Sequence, residues 1–310
     1  MEELIVEYKN TLNSIPLSSL NSDDLDLFMF LCSKVKGKGS TLLKIPYLEI
    51  KKAIGREEYN NKYFTKYLER LTKKLANINI CFSDELSFEQ FNLFPTFIAR
   101  YNDYYDIRFG NVEGCTLIVR VNEDYVSLLN DLNLKFTSFE LKEYVRLESK
   151  YSKNLYRLLK QWRFVGIAPA EKDKDGIYKH GIYDINYFRE IMDCPEKYTS
   201  NDIMYKIIAP SIKELREKGC FNNLEVTCIR DNAKRGRPVK GYYFIFNGEQ
   251  QIKKEEKKLL ETETKPKKTN KQQVKPNPSN RFNNFTQRDY DYAELERKII
   301  LQNNRNEEEW

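Results

Sequence analysis

The amino-acid sequence predicts an α+β fold: two tandem winged-helix domains with a disordered C-terminal tail. Three observations predict it. From Tyr187 to Phe246 the chain reads as helix, turn, helix and a two-stranded hairpin with a basic tip. That is the order of a winged helix, whose second helix enters a DNA groove while the hairpin tip touches backbone or minor groove. Tyr47 to Tyr59 parallels Tyr187 to Tyr198, and each stretch is followed by a polar cap, a long cation-bearing helix and a strand, so the unit is present twice. Beyond Asn247 the composition changes: Gln250 to Glu263 is charged and suits at most a marginal helix, and Thr264 to Asn280 is rich in Lys, Pro and Asn with no apolar face.

The first repeat is preceded by a leader, Leu4 to Ser19, with weak helical character broken at Pro16. Asn21-Ser-Asp-Asp then offers an N-cap and an acidic first turn to a helix over Leu25 to Val35, whose apolar face is Leu25, Phe28, Met29 and Leu31. Thr41 to Ile45 suits a short strand. Pro46 suits the first position of the next helix, which Gly55 closes. Asn60-Asn-Lys-Tyr-Phe begins a helix to about Leu75, with Phe64, Leu68, Leu71 and Leu75 inward. Ile78 to Phe82 is a strand. Phe91 to Phe109 and Cys115 to Val121 read as a hairpin joined at Gly110 to Gly114, the candidate wing of this unit.

Asn122 to Leu132 reads as a short helix. Thr137 and Glu140 have the spacing of a capping box, so a helix is expected from there through Tyr144 and on to Ser149–Trp162, the bridge between the repeats, with Leu155, Leu158 and Leu159 in the core. Glu171 to Lys179 reads as a polar loop. In the second repeat a short amphipathic helix ends at Pro195, Ser200 or Asn201 offers the cap, and a helix runs from about Asp202 to Lys218. Pro210 inside it predicts either a bend or a late start. Leu224 to Arg230 and Gly241 to Phe246 are the wing strands. The domains are accordingly 1–135, an N-terminal winged helix; 136–248, the bridge and a C-terminal winged helix; 249–280, a flexible charged linker; and 281–310, a short peptide. The peptide restores aromatics and suits either folding on a partner or folding back on its own domain.

Composition bounds the function. A chain of 310 residues, 32% charged with a mean hydropathy of −0.69, is expected to be soluble, and 21 Tyr with 18 Phe argue for real cores. The net charge of +6 is mild, so nucleic-acid binding has to rest on local clusters. Six cysteines without a CxxC pair, beside the single His180, argue against a zinc site and for reduced thiols. Met1-Glu-Glu is no signal-peptide start and no apolar run is long enough to span a bilayer, so a cytoplasmic protein without membrane contact is expected.

The clusters lie where a winged helix binds DNA. Lys234, Arg235, Arg237 and Lys240 crowd the second hairpin tip. Lys234-Arg-Gly-Arg-Pro238 also matches the core of a minor-groove AT-hook, in which an extended Arg-Gly-Arg lies in a narrow A·T groove. On the second recognition helix Asn201, Tyr205 and Lys206 lie off the apolar stripe near the end that reaches base edges. On the first, Asn61, Lys62, Thr65, Lys66 and Arg70 can meet phosphates or bases. Lys150, Lys153 and Arg157 of the bridge suit either phosphate contact or a structural role. Catalysis has poor support. No GxxxxGK[ST] stretch occurs, and one histidine cannot furnish the metal-binding pair of a nicking enzyme. No cofactor is expected.

The bridge segment Ser149-Lys-Tyr-Ser-Lys-Asn-Leu-Tyr-Arg-Leu-Leu-Lys-Gln-Trp162 resembles the SKY…LYELL helix of the initiator replication proteins of theta-replicating plasmids, which bind iterons. Phe136-Thr-Ser-Phe-Glu-Leu, Ile208-Ala-Pro-Ser-Ile-Lys-Glu-Leu215 and Gly236-Arg-Pro-Val-Lys-Gly-Tyr-Tyr-Phe244 support the resemblance, which spans roughly Leu4 to Phe246. That family carries a Pro in its recognition helix, as here at Pro210, and often Tyr or Phe where Trp162 stands. The resemblance implies binding to double-stranded origin repeats, opening of an adjacent A·T-rich region and recruitment of a host initiator and the replicative helicase. It also implies homodimers that repress the protein's own gene while monomers initiate. The tail from Arg281 is similar to tails of other replication proteins of Gram-positive plasmids and phages. Rival readings are a plain repressor, a helicase-loading scaffold and a metal-dependent nicking initiator.

Overall fold

Asn21 starts the first long helix: its side chain accepts the Asp24 N–H at 2.9 Å while the Asp24 carboxylate accepts the Asn21 N–H at 3.1 Å. In the computed structural model, which describes residues 4–83, 88–101, 114–130 and 135–249, this helix, α1, is Ser22–Val35. Leu25, Phe28, Met29 and Leu31 are buried as expected, and so are Leu27, Phe30 and Cys32. A helix apolar on nearly every side belongs inside the core.

The first repeat follows as β2 (Leu43–Pro46), α2 (Tyr47–Ala53), α3 (Asn61–Ala76), β5 (Thr96–Arg100) and β6 (Thr116–Arg120), with an extra hairpin of β3 (Asn79–Ser83) and β4 (Phe88–Asn92) inserted. Pro46 caps α2 instead of occupying its first turn. Asn60 caps α3, accepting the Lys62 N–H at 3.0 Å, and Phe64, Leu68, Leu71 and Leu75 are buried, each worth roughly 1.5–3 kcal/mol. The second repeat is β11 (Tyr183–Asp184), α6 (Ile185–Ile191), α7, β12 (Glu225–Arg230) and β13 (Val239–Ile245). The strands are ordered β2-β6-β5 in one sheet and β11-β13-β12 in the other, the latter joined by β8 (Ile167–Ala168) on β13. In both, the strand before the helices pairs with the last wing strand and leaves the first wing strand at the edge. The repeat inferred from the parallel between Tyr47 to Tyr59 and Tyr187 to Tyr198 is therefore a repeat of topology.

Helix α7 covers 200–217 in three segments: α-helical Ser200–Asp202, a π-turn Ile203–Ile208 and α-helical Ala209–Glu217. Pro210 has no N–H to give Lys206 and its ring crowds that carbonyl. Widening the preceding turn relieves both, so the helix does not start late and a π-turn marks the place where a bend was the alternative. The cap is Thr199, paired with Asp202 in a capping box, and not Ser200 or Asn201.

Other elements differ from expectation where the pairing partner is distant in sequence. The leader is not helical: β1 (Ile5–Lys9) and a 3-10 turn (Asn10–Ser14) occupy it. Its partner is β7 (Phe136–Glu140), in the register Ile5↔Glu140 to Lys9↔Phe136. Thr137 is thus a buried strand residue whose hydroxyl donates to Asn10 and accepts from Asn13, and no capping box forms there. Only Leu141–Val145 (α4) precedes the bridge, α5 (Lys150–Lys160), whose N-cap is Ser149. Phe91 to Phe109 is not one strand. Asn92 turns the chain by accepting the Phe94 N–H, Pro95 has no N–H for a ladder, and residues 102–110 lie outside the described residues. The first wing hairpin is β5 with β6. A 3-10 turn, Glu123–Leu128, stands in place of the expected helix after it. The polar stretch 171–179 forms a hairpin, β9 (Ala170–Lys172) with β10 (Tyr178–His180). The 249–280 linker and the 281–310 peptide fall outside the described residues, apart from Glu249.

Bridge helix α5 runs through the core shared by both repeats, with Leu155, Leu158 and Leu159 buried. Lys153 is fully buried and paired with the buried Asp26 of α1, and Arg157 donates to the Leu12 carbonyl at 2.9 Å. Lys150 pairs with Asp193 at 2.5 Å. Burial decides between the two roles open for Lys153 and Arg157: both are structural cations, closed to phosphate.

Candidate nucleic-acid interface

Each recognition helix buries one stripe and leaves the other to solvent. On α3 the outer stripe is Lys62, Lys66, Glu69, Arg70 and Lys73, at helical spacing. Lys62 and Lys66 are exposed and meet no partner among the described residues. Arg70 lies over the Tyr67 ring and is 3.9 Å from Asp24, with its side chain 54% exposed, so it is only loosely held. Two expected site residues are not on this stripe. Thr65 is buried, its hydroxyl donating to the Asn61 carbonyl at 3.0 Å, because its position falls between Phe64 and Leu68 on the core side. Asn61 accepts the Lys51 ammonium at 2.9 Å and serves to join α2 to α3. Lys73 belongs to the stripe as much as Lys66 does, and its spacing was the signal for it.

On α7 the matching positions carry less charge. Counting from each N-cap, Lys62 and Asn201 are both second, and Lys66 and Tyr205 both sixth. Past the π-turn, which inserts one residue, Lys73 corresponds to Lys213. Tyr205 is 74% exposed, an unusual setting for so large a side chain, and neither it nor Asn201 has a partner among the described residues. Lys206 is engaged: it pairs with Asp202 at 2.6 Å and lies over the Tyr198 ring. The Lys206 and Thr199 hydrogen bonds hold the Asp202 carboxyl well below the usual carboxylate range, and Asp202 in turn raises Lys206. A shallow groove between α7 and β12, lined by Lys213, Arg216, Glu217 and Glu225 among others, mixes both signs of charge and does not suit a phosphate.

The wing tip joins β12 to β13. Its AT-hook core is not extended: the Arg237 N–H bonds the Lys234 carbonyl at 3.0 Å, with Gly236 at φ +82 in the third position of the turn, where a type II turn needs positive φ. Arg237 sits at φ +46 and donates through Nε to Asn232 at 2.9 Å, so it shapes the tip. Lys234 is 3.6 Å from Asp231. Arg235 and Lys240 are exposed with no partner among the described residues. Gly241 at the root of the wing has no room for a side chain, since a Cβ would lie 2.2 Å from the Tyr183 carbonyl oxygen. His180, exposed on β10, stacks on the Tyr243 ring at 4.2 Å. Among the described residues no group of acidic, Cys or His side chains is placed to hold a metal ion, and no helix is long and apolar enough to cross a membrane.

Two helix-turn-helix units, each followed by a wing and each turning a polar helix face outward, define a tandem winged-helix protein. Comparison with known proteins gives the class a family. Residues 5–160 match the model described as "Initiator Replication protein, WH1", and residues 184–246 match "Initiator Rep protein, WH2". The chain belongs to the initiator replication protein family. A "Probable replication protein rep" of Bifidobacterium longum is 31% identical over 175 residues, 56% of this chain and 55% of the relative, so the chain spans about half the length of the curated relative it matches. The Pi initiator protein, solved in complex with iteron DNA, shares the fold with a TM-score of 0.55 at 15% identity, covering 80% of this chain and 99% of that one.

Proposed function

We propose that the protein initiates plasmid replication by binding repeated origin sites, iterons, sequence-specifically and promoting the opening of the adjacent duplex. The observation that carries this reading is the doubled unit: α3 and α7 each present an outward polar face, and the wing beside α7 leaves Arg235 and Lys240 free among the described residues. Phosphate contacts from Lys62, Lys66 and the wing supply affinity, while Asn201 and Tyr205 face base edges and supply register. The family membership and the fold shared with the Pi initiator, itself solved on iteron DNA, support it. The work is done by binding energy, without cofactor or catalytic step, in the cytoplasm. Domains 1–135 and 136–248 do the binding, 249–280 is a linker, and 281–310 engages a host initiator or the replicative helicase. A homodimer represses the protein's own gene.

The test is a mobility shift of the purified protein on the region upstream of its gene, at two salt concentrations with random DNA as competitor. A ladder of discrete complexes on that region alone is expected. One complex only would make the protein a simple repressor, and no preference over random DNA would overturn sequence-specific reading by both helices.

A further inference from the structure

The polar residues of α5 are divided between the two repeats. Toward the second repeat, Ser152 donates to Glu214 Oε2 at 2.5 Å, the Glu148 N–H donates to Glu214 Oε1 at 2.5 Å, and Lys150 pairs with Asp193 just past α6. Toward the first, Lys153 bonds Asp26 and the Ser22 carbonyl of α1, and Arg157 bonds the Leu12 carbonyl. From α1 the path continues to α3: the Tyr67 hydroxyl donates to the Asp23 carbonyl at 2.9 Å, and Lys74 pairs with Asp24. Recognition helix α3 is thus joined to recognition helix α7 through α1 and α5. At the α7 end two of the bonds to the bridge converge on one carboxylate, Glu214, whose oxygens face the start of α5; a third, Lys218 to Glu148 at 3.3 Å, lies at the exposed end of the helix.

We propose that Glu214 is a positioning residue. By holding the start of α5 against α7 it fixes the distance and angle between the two reading helices, and so the one half-site spacing that the protein accepts within a repeat. The inference rests on the DNA-binding reading above. Each base pair between two half-sites moves the second by about 3.4 Å and turns it by about a tenth of a helical turn. A rigidly joined pair of helices matches one spacing; a loosely joined pair follows several.

The experiment uses the full chain and the variants Glu214→Ala, which removes both bonds, Ser152→Ala, which removes one of them, and Glu214→Gln, which keeps an acceptor oxygen. Affinities are measured for a duplex carrying one origin repeat and for the same duplex with two base pairs inserted between the footprints of the two domains. Wild type is expected to lose on the order of tenfold or more on the insertion, as for a mismatched contact. Glu214→Ala should lose most of that discrimination, with Ser152→Ala and Glu214→Gln intermediate, each keeping one of the bonds. In parallel, labels on non-natural amino acids at positions 66 and 213 report the distance between the helices without DNA; a narrow distribution in wild type should broaden in Glu214→Ala. An unchanged width, or superimposable spacing profiles, would overturn the clamp. A wild-type protein that prefers neither duplex to random DNA would instead overturn the DNA reading and the spacing role with it, while the distance measurement still reports on the clamp alone.

Discussion

Lys153→Met is the perturbation that bears hardest on this architecture. The Lys153 ammonium is 0% exposed and Asp26 is 1% exposed, so the pair that ties α5 to α1 is dry. Methionine keeps most of the stem and removes the charge. Asp26 is then left with Arg56, 3.8 Å away, as its nearest described cation. Burial pushes the Asp26 carboxyl up, to about 7, and the Lys153 ammonium down, so each group depends on the other to stay charged. Removing one partner of such a pair costs about 3–5 kcal/mol. Against a total stability of about 5–15 kcal/mol that is roughly a fifth or more, and it lowers the melting temperature by roughly 6–20 °C. Asp26→Asn should cost about as much from the other side. The double variant, having lost both charges, should cost no more than either single, a coupling energy of about 3 kcal/mol. Urea unfolding followed by the fluorescence of Trp162, at the end of the bridge, measures all four proteins. Single variants costing under about 1 kcal/mol, or a double variant equal to the sum of the singles, would refute the buried pair as the tie between the repeats.

The remaining predictions concern the proposed interface. Arg235→Ala, at an exposed position without a partner among the described residues, should leave stability unchanged and reduce the slope of log K against log salt by about 0.9, uniformly across sequences; an unchanged slope would remove the wing from the interface. Asn201→Ala should lower discrimination at one base pair by about 1–3 kcal/mol while leaving the salt slope unaltered, as scored by competition with singly substituted repeats. Thr65→Val should alter neither affinity nor slope, because that side chain is buried, whereas Lys66→Ala one residue on should reduce both.

The winged helices were legible because their signals are local. Asn21, Asn60 and the run Phe64, Leu68, Leu71, Leu75 act within a few residues of themselves, and so does the effect of Pro210, which appears as the π-turn just before it. Local misreadings, such as the Thr199 cap and the hairpin over 170–180, shift an element by little; the larger ones concern pairings that close over long stretches. Nothing near Thr137 announces that Tyr8 will lie opposite it, so a Thr-x-x-Glu spacing outweighed the alternation of Phe136, Ser138 and Glu140 with buried Thr137 and Phe139. The site was legible in outline only, for the same reason. Cation spacing placed Lys62 and Lys66 on the exposed face of α3, but whether a cation is free depends on acidic partners elsewhere in the chain. Asp24, Asp26 and Asp193 claim Lys74, Lys153 and Lys150 from 43 to 127 residues away.

That internal pairing explains how a chain of mild net charge can carry a field suited to DNA. Of 52 basic residues, those facing acidic partners in the core add nothing to the outside potential, and the net charge of +6 averages them with the rest. On the proposed reading, an approaching duplex meets exposed cations without an acidic partner among the described residues, Lys62, Lys66 and Lys73 on one helix and Arg235 and Lys240 on one wing among them. Under the proposed function their separation matters. Attraction to phosphate is the same for every sequence, so cations crowded on both reading helices would hold the protein on random DNA as firmly as on its site. Helix α7 avoids this by tying Lys206 to Asp202 and turning neutral Asn201 and Tyr205 outward, so its contribution depends on which base edges it meets. On this reading, charge on α3 and the wing draws the duplex in, and the neutral Asn201 and Tyr205 at the start of α7 decide whether it stays.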